Sequence, residues 1–353
     1  MNFAYAFLAF LLALLLTLAG STRVATWLIE RRNSPAGSFM DIGSARIHYV
    51  HLKADKPELP PLVFIHGASG NLMDQFVPMR QALEGKADML FFDRPGHGWS
   101  TRGSGNDTPT GQAATLAALM DRLDIKDAIV VGHSYGGAVA AIFALDHAEK
   151  TRGLLFLSPA THPWPGGETS WYYSATALPV AGWIFSETVT TLVGWGRIAD
   201  ATACVFAPNP VPHGYVDRAS IQLVLRPPAF RANAVDVAGL YDFVRVNAPR
   251  YPGITAPSII VTGNRDTIVY EELHSGGLAR DIPGAEIVWV DNLGHKPDWI
   301  APELVVSAIE KLSGKPVDLA AVKGRVEQRI AADNFATELC AEPRMPAGEL
   351  SPQ

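Results

Sequence analysis

Asp127-Ala128-Ile129-Val130-Val131-Gly132-His133-Ser134-Tyr135-Gly136-Gly137-Ala138-Val139-Ala140 is the stretch that decides the fold. A short apolar run rich in β-branched residues reads as a buried strand, and the small residues after Gly136 read as a helix over 136–147. Between them stands G-x-S-x-G, the signature of a strand turning sharply into a helix with a serine at the bend. The glycines permit the turn, and Ser134 is expected in strained backbone geometry with its hydroxyl held out at the sheet edge. In a chain with 31 glycines the motif alone is weak, so partners decide the matter.

Two stretches downstream supply them. An apolar run at 257–261 leads into Thr262-Gly263-Asn264-Arg265-Asp266, and one at 286–290 leads into Asp291-Asn292-Leu293-Gly294-His295. Each puts an ionisable residue just past the end of an expected strand, where open α/β sheets bind their ligands. The chemistry needs one of each type. Serine is a weak nucleophile at its free pKa, so His295 is expected to accept its proton during attack and return it to the leaving group. Asp266 is expected to accept a hydrogen bond from the other ring nitrogen, which fixes the tautomer and stabilises the imidazolium. Glu271 and Glu272 are the nearby rivals for that role.

Leu62-Val63-Phe64-Ile65-His66-Gly67-Ala68-Ser69-Gly70 reads as a buried strand ending in a small-residue loop. The backbone N–H groups of Ala68 and Tyr135 are the expected oxyanion hole, and His66 is read as a structural histidine bonded to its loop.

The order Ser, Asp, His resembles that of the α/β-hydrolase superfamily, in the branch of lipase-like and esterase-like serine hydrolases with a cap domain, which also holds haloalkane dehalogenases and epoxide hydrolases. His66-Gly67, Phe92-Asp93-Arg94-Pro95-Gly96-His97-Gly98-Trp99-Ser100, the elbow and the two loops carry the resemblance, which covers about residues 39–312. It implies an architectural role for Asp93 and His97. Dehalogenases and epoxide hydrolases carry Asp at the elbow where this chain has Ser134, which points to an acyl-enzyme rather than an alkyl-enzyme ester.

Apolar runs at 62–65, 89–92, 128–131, 154–157, 258–261 and 286–290, after a hairpin at 38–42 and 46–51, predict eight strands alternating with helices. The fold expected is therefore α/β: an α/β-hydrolase fold with a mostly parallel eight-stranded sheet, helices on both faces and a helical cap inserted after the sixth strand. The expected division is a transmembrane anchor with basic flank at 1–32, a linker at 33–38, a core at 39–160 and 252–313, a cap at 161–251, and a C-terminal helix with disordered tail at 314–353. The cap aromatics, Trp171, Trp183 and Trp195 among them, are expected mostly to pack it onto the core, with three or four lining an apolar acyl pocket.

From Asn2 to Thr22 no residue is charged, a length that suits one bilayer crossing. An uncleaved anchor is expected, with a signal peptide cut near Gly20 or Ser21 as the alternative. Arg23, Arg31 and Arg32 follow, and the positive-inside rule then favours a cytoplasmic catalytic domain. With 48% hydrophobic residues and a net charge of −6, the chain can bury a large core and has no basic patch for nucleic acid. No Cys/His cluster suggests a metal, and no cofactor motif is present. Cys204 and Cys340, one in the cap and one in the tail, are expected as free thiols and fix no redox compartment. The function expected is a membrane-anchored serine hydrolase acting on a small apolar ester or acyl substrate. C–C bond hydrolysis or perhydrolysis on the same triad, and a non-catalytic binding module, are the alternatives.

Overall fold

The computed structural model describes residues 2–335 and 340. Eight strands form one sheet: β1 (Ser38–Ile42), β2 (Ala45–Leu52), β3 (Leu62–Ile65), β4 (Met89–Phe92), β5 (Ala128–His133), β6 (Thr151–Leu157), β7 (Ser258–Gly263) and β8 (Glu286–Val290), in the order β1-β2-β4-β3-β5-β6-β7-β8. The β1–β2 and β2–β4 pairs are antiparallel and the rest parallel. This is the α/β-hydrolase fold, and all eight strands lie where the apolar runs predict them.

The parallel strands are buried on both faces, which is why they read as continuous apolar runs. Alternate side chains serve opposite cores. Val63, Ile65, Val130, Phe156 and Ile260 pack with the helices on one side, while Phe64, Val131, Leu157, Val261 and Val290 pack with those on the other.

The helices are α1 (Asn2–Arg32), α2 (Leu72–Leu83), α3 (Pro109–Arg122), α4 (Tyr135–Asp146), α5 (Trp171–Ala177), α6 (Ala181–Phe185), α7 (Thr191–Phe206), α8 (Tyr215–Arg218), α9 (Pro227–Asn247), α10 (Glu271–Asp281), α11 (Pro297–Ile300), α12 (Pro302–Leu312) and α13 (Leu319–Ile330). Helices α3, α4, α9 and α10 contribute to the first core, and α2, α12 and α13 to the second. The β6–β7 connection carries α5 to α9, as the long interval after the sixth strand predicts.

One expectation changes. Cys204 and Cys340 are not free thiols: they form a disulfide with Cα atoms 5.2 Å apart, which ties the chain beyond α13 to α7. Spacing along the sequence says nothing of that proximity. α1 ends at Arg32, and its last turn packs on the protein. Ile29 is fully buried against Leu223 and Leu225, and Asn33 bonds back to Ile29 while accepting from the Trp99 indole at 3.1 Å. The apolar stretch of α1 before Leu18 is exposed, and α1 is long and apolar enough to cross a membrane. The expected tail beyond 340, and 336–339, lie outside the described residues.

Candidate active site

β5 ends at the elbow. Ser134 sits at φ 53° and ψ −120°, a conformation that L-residues rarely adopt. It is tolerated because the surroundings fix it: its N–H donates to Leu157 at 3.0 Å, and its carbonyl accepts from Gly137 and Ala160 at 2.8 and 3.0 Å. The flanking glycines are steric necessities. A Cβ on Gly132 would lie 2.5 Å from the Gly136 carbonyl, and one on Gly136 would lie 2.2 Å from that of Ile65. Among the described residues the Ser134 hydroxyl has no hydrogen-bond partner.

β7 and β8 deliver the other two residues. His295 Nδ1 is 2.7 Å from Asp266 Oδ2, and both side chains are buried. The second oxygen, Oδ1, accepts from the N–H groups of Ile268 and Val269 at 2.8 and 3.0 Å. Both carboxylate oxygens are thus committed, and the free lone pair of the imidazole is left on Nε2. Glu271 and Glu272, the sequence rivals, open α10 instead.

His133, next to the serine, donates from Nε2 to the His295 carbonyl at 2.9 Å, and the two rings lie 4.9 Å apart. Its Nδ1 has no partner among the described residues. Burial, then the charge of Lys296, holds its pKa well below the usual histidine range, so it stays a neutral strut between the elbow and the histidine loop.

On the opposite side, Gly67 comes so near the elbow that a Cβ on it would lie 3.0 Å from that of Ser134. The N–H groups of Ala68 and Tyr135 donate to no other described residue. Two backbone donors therefore remain unspent beside the serine, an arrangement that can receive an oxyanion. His66 behaves as expected of a structural residue: Nδ1 bonds the Gly67 carbonyl at 2.8 Å and Nε2 accepts from Arg94 N–H at 3.0 Å. Burial, then Arg94, lowers its pKa to about 3.

Three supports escaped the sequence reading. Arg94, fully buried, donates to the carbonyls of His66 and Gly67, to Gln112, to His97 and, at 2.6 Å, to Asp236 of α9. Asn233, also on α9, accepts from Ser69 N–H at 2.6 Å and donates to its hydroxyl at 3.1 Å, steadying the loop that presents Ala68. Lys296, beside the histidine, is buried with its ammonium 2.8 Å from Asp74 and 3.2 Å from Asp298. α9 also carries Arg231, Asp242, Arg245 and Asn247, so nothing local singles out Asn233 and Asp236 as the buried pair. Asp74, His133 and Asp298 bring ligand-type atoms within 4.8 Å of one another, and the Lys296 ammonium already provides that cluster with a cation.

A family model described as the alpha/beta hydrolase family matches residues 62–308. Among curated proteins, the poly(3-hydroxyalkanoate) depolymerase of Ectopseudomonas oleovorans is 34% identical over 109 residues, 31% of this chain and 38% of that protein. The acetyltransferase component of the acetoin cleaving system of Cupriavidus necator is 33% identical over 130 residues, 37% of this chain and 34% of that protein. The matched stretch thus spans well under half of each relative. Among solved structures, the enol-lactonase of Burkholderia xenovorans superimposes with a TM-score of 0.62 at 19% identity, covering 79% of this chain and 100% of that one.

Proposed function

Because the chain belongs to the alpha/beta hydrolase family, we propose that it is a serine hydrolase that cleaves a carboxylic ester or related acyl substrate through an acyl-enzyme. Ser134 attacks the substrate carbonyl while His295 takes its proton, and Asp266 holds the ring in the required tautomer. The amides of Ala68 and Tyr135 receive the oxyanion. His295 then returns the proton to the departing alcohol, and water, activated by the same imidazole, releases the acid and restores Ser134. The segment 161–251 acts as a cap over this site, and α1 anchors the protein in a membrane.

The observation that carries the reading is the 2.7 Å contact of His295 with an Asp266 whose other oxygen is already saturated by two backbone donors. Hydrogen bonds to a nucleophile that are open in a free enzyme commonly tighten once substrate is bound, which accommodates the unbonded Ser134 hydroxyl. The curated relatives include a depolymerase by name, in keeping with ester hydrolysis.

Labelling with a fluorophosphonate and turnover of p-nitrophenyl esters test the proposal. Ser134→Ala abolishes both, and Asp266→Asn lowers kcat by about 10⁴, the loss expected of a wrong tautomer. Equal labelling of the Ser134→Ala protein, or native turnover in Asp266→Asn with loss in Glu271→Gln or Glu272→Gln, overturns the assignment.

A further inference from the structure

The last third of α1 packs against the helical turn Ser186–Thr190, which joins α6 to α7, and against α7 itself. Arg23 pairs with Glu187 at 2.7 Å, and Arg32 sits over the Trp195 ring at 5.8 Å. Moving from Arg23 to Arg32 on one helix therefore matches moving from Glu187 to Trp195 on the other, so the two run parallel at nearly the same rise per residue. The turn of α6 before Glu187 is then level with what precedes Arg23, and α5 folds back beside it, with the Trp171 ring 6.1 Å from that of Phe185. On α1 that is first residues 18–22, with Thr22 buried, and then the bare apolar stretch.

On the β6–β7 connection it is a segment with no charged residue between Glu168 and Glu187. This segment exposes large apolar side chains: Trp171 is 71% exposed, Leu178 53%, Val180 72%, Trp183 52% and Ile184 41%. The sequence reading expected such aromatics to pack the cap onto the core, and Trp171 and Trp183 do not. A patch of this kind marks an interaction surface. Its inner side is tied to the site, since the Tyr173 hydroxyl is 3.5 Å from that of Ser69, one residue beyond the oxyanion donor Ala68.

We infer that the segment from Trp171 to Ile184 lies in the lipid interface beside α1, and that the enzyme draws its ester from the bilayer as a long-chain, membrane-borne acyl substrate. The occupant is a lipid surface because the patch continues, at the same level, the stretch of α1 that is exposed among the described residues. Tryptophans at such a level sit with the ring in the headgroup region, where one end is apolar and the other wet. The inference rests on the reading of α1 as an anchor and of Ser134 as nucleophile.

The test uses the full chain in phosphatidylcholine vesicles, with an environment-sensitive fluorophore attached at Leu12→Cys or, separately, at Val180→Cys. Both probes shift to the blue and are quenched by phosphatidylcholine with brominated acyl chains. A probe at 12 in lipid with the probe at 180 in water overturns the inference and leaves the anchor standing; both in water overturns the anchor as well. Shielding at 180 that grows with protein concentration and ignores the brominated lipid assigns the patch to a second copy and also overturns it. Leu178→Glu combined with Val180→Glu lowers hydrolysis of a long-chain ester embedded in the vesicles by about tenfold and leaves a short, water-soluble ester within about twofold. An equal effect on both esters, or none on either, rejects the lateral route.

Discussion

Two buried charge clusters flank the elbow, and they differ in sign and in completeness. Beside the oxyanion loop, Arg94 and Arg102 share the single carboxylate of Asp236. Beneath the histidine loop, the single ammonium of Lys296 is shared by Asp74 and Asp298. The first leaves a positive charge in excess where an oxyanion would form, and Arg94 also lies 4.3 Å over the Tyr135 ring. The second leaves a negative charge in excess near the ring that would become an imidazolium. A field with that direction favours charge separation from histidine to oxyanion, and fixed charges of this kind act strongly in a site shielded from water.

Completeness separates them further. Arg94 has five N–H donors and all five are used. In the other cluster Asp298 Oδ1 and both amide atoms of the neighbouring Gln75 have no partner among the described residues. A saturated guanidinium fork fixes geometry, whereas a partly satisfied network costs stability for what it holds.

The largest effect should come from Arg94→Met. It leaves Asp236 buried with its main partner gone and frees the His66–Gly67 loop, so chemical denaturation should show a loss of about 3–5 kcal/mol and esterase kcat should fall. Arg94→Lys keeps the charge without the fork and should recover less than half of either loss. Lys296→Met should cost less, about 1–3 kcal/mol, because Asp298 can shed its charge by taking up a proton. Equal losses from the two methionine variants would erase the distinction between the clusters.

Acidity should then pull the clusters in opposite directions. His66, beside Arg94, is held neutral down to about pH 3 against an ordinary 6.5, by burial first and the guanidinium second. The unfolded chain takes up that proton and the native one does not. Its contribution is therefore full above pH 6.5 and declines as the pH falls toward 3. Asp298 has its pKa raised from 3.8 to about 6, by burial first, with Lys296 opposing and Asp74 assisting. The native chain keeps a proton the unfolded chain has lost, so this contribution is full below 3.8 and is lost as the pH rises through about 6. Asp298→Asn should accordingly gain in Tm relative to the parent as the pH is raised between about 4 and 7. A gap that shrinks instead would refute the sign. The smallest change belongs to the surface: Arg152→Ala breaks a solvent-exposed pair with Asp127 and should leave Tm within error.

The sheet was legible because apolar runs, turn glycines and strand spacing are local, and Ser134, Asp266 and His295 each follow such a run. The supports were not. Arg94 and Asp236 are 142 residues apart, and an ion pair across that distance leaves no periodic trace. α10 escaped because Gly276 and Gly277 interrupt its pattern; Gly277 is there for space, since a Cβ would lie 2.8 Å from the His162 ring. The first apolar residues of α1 could be read as a membrane helix, but its docking through Ile29 depended on a hydrophobic pocket that only the folded β6–β7 connection creates.

The Cys204–Cys340 bond closes a ring with a sequence separation of 136. Asp266 and His295 lie on that ring and Ser134 lies outside it, so the proposed nucleophile and its two proposed helpers occupy topologically different parts of the molecule. Restricting the unfolded chain in this way is worth about 5 kcal/mol in the chain-entropy account, provided the compartment is oxidising enough to keep the bond. On the proposal that α1 is an anchor, the arginines after its apolar stretch favour the reducing side of a membrane. The same polypeptide would therefore be two materials, a cross-linked one outside the cytosol and an open chain within it, and the thiol chemistry of its surroundings would decide how firmly the acid and base stay beside the serine.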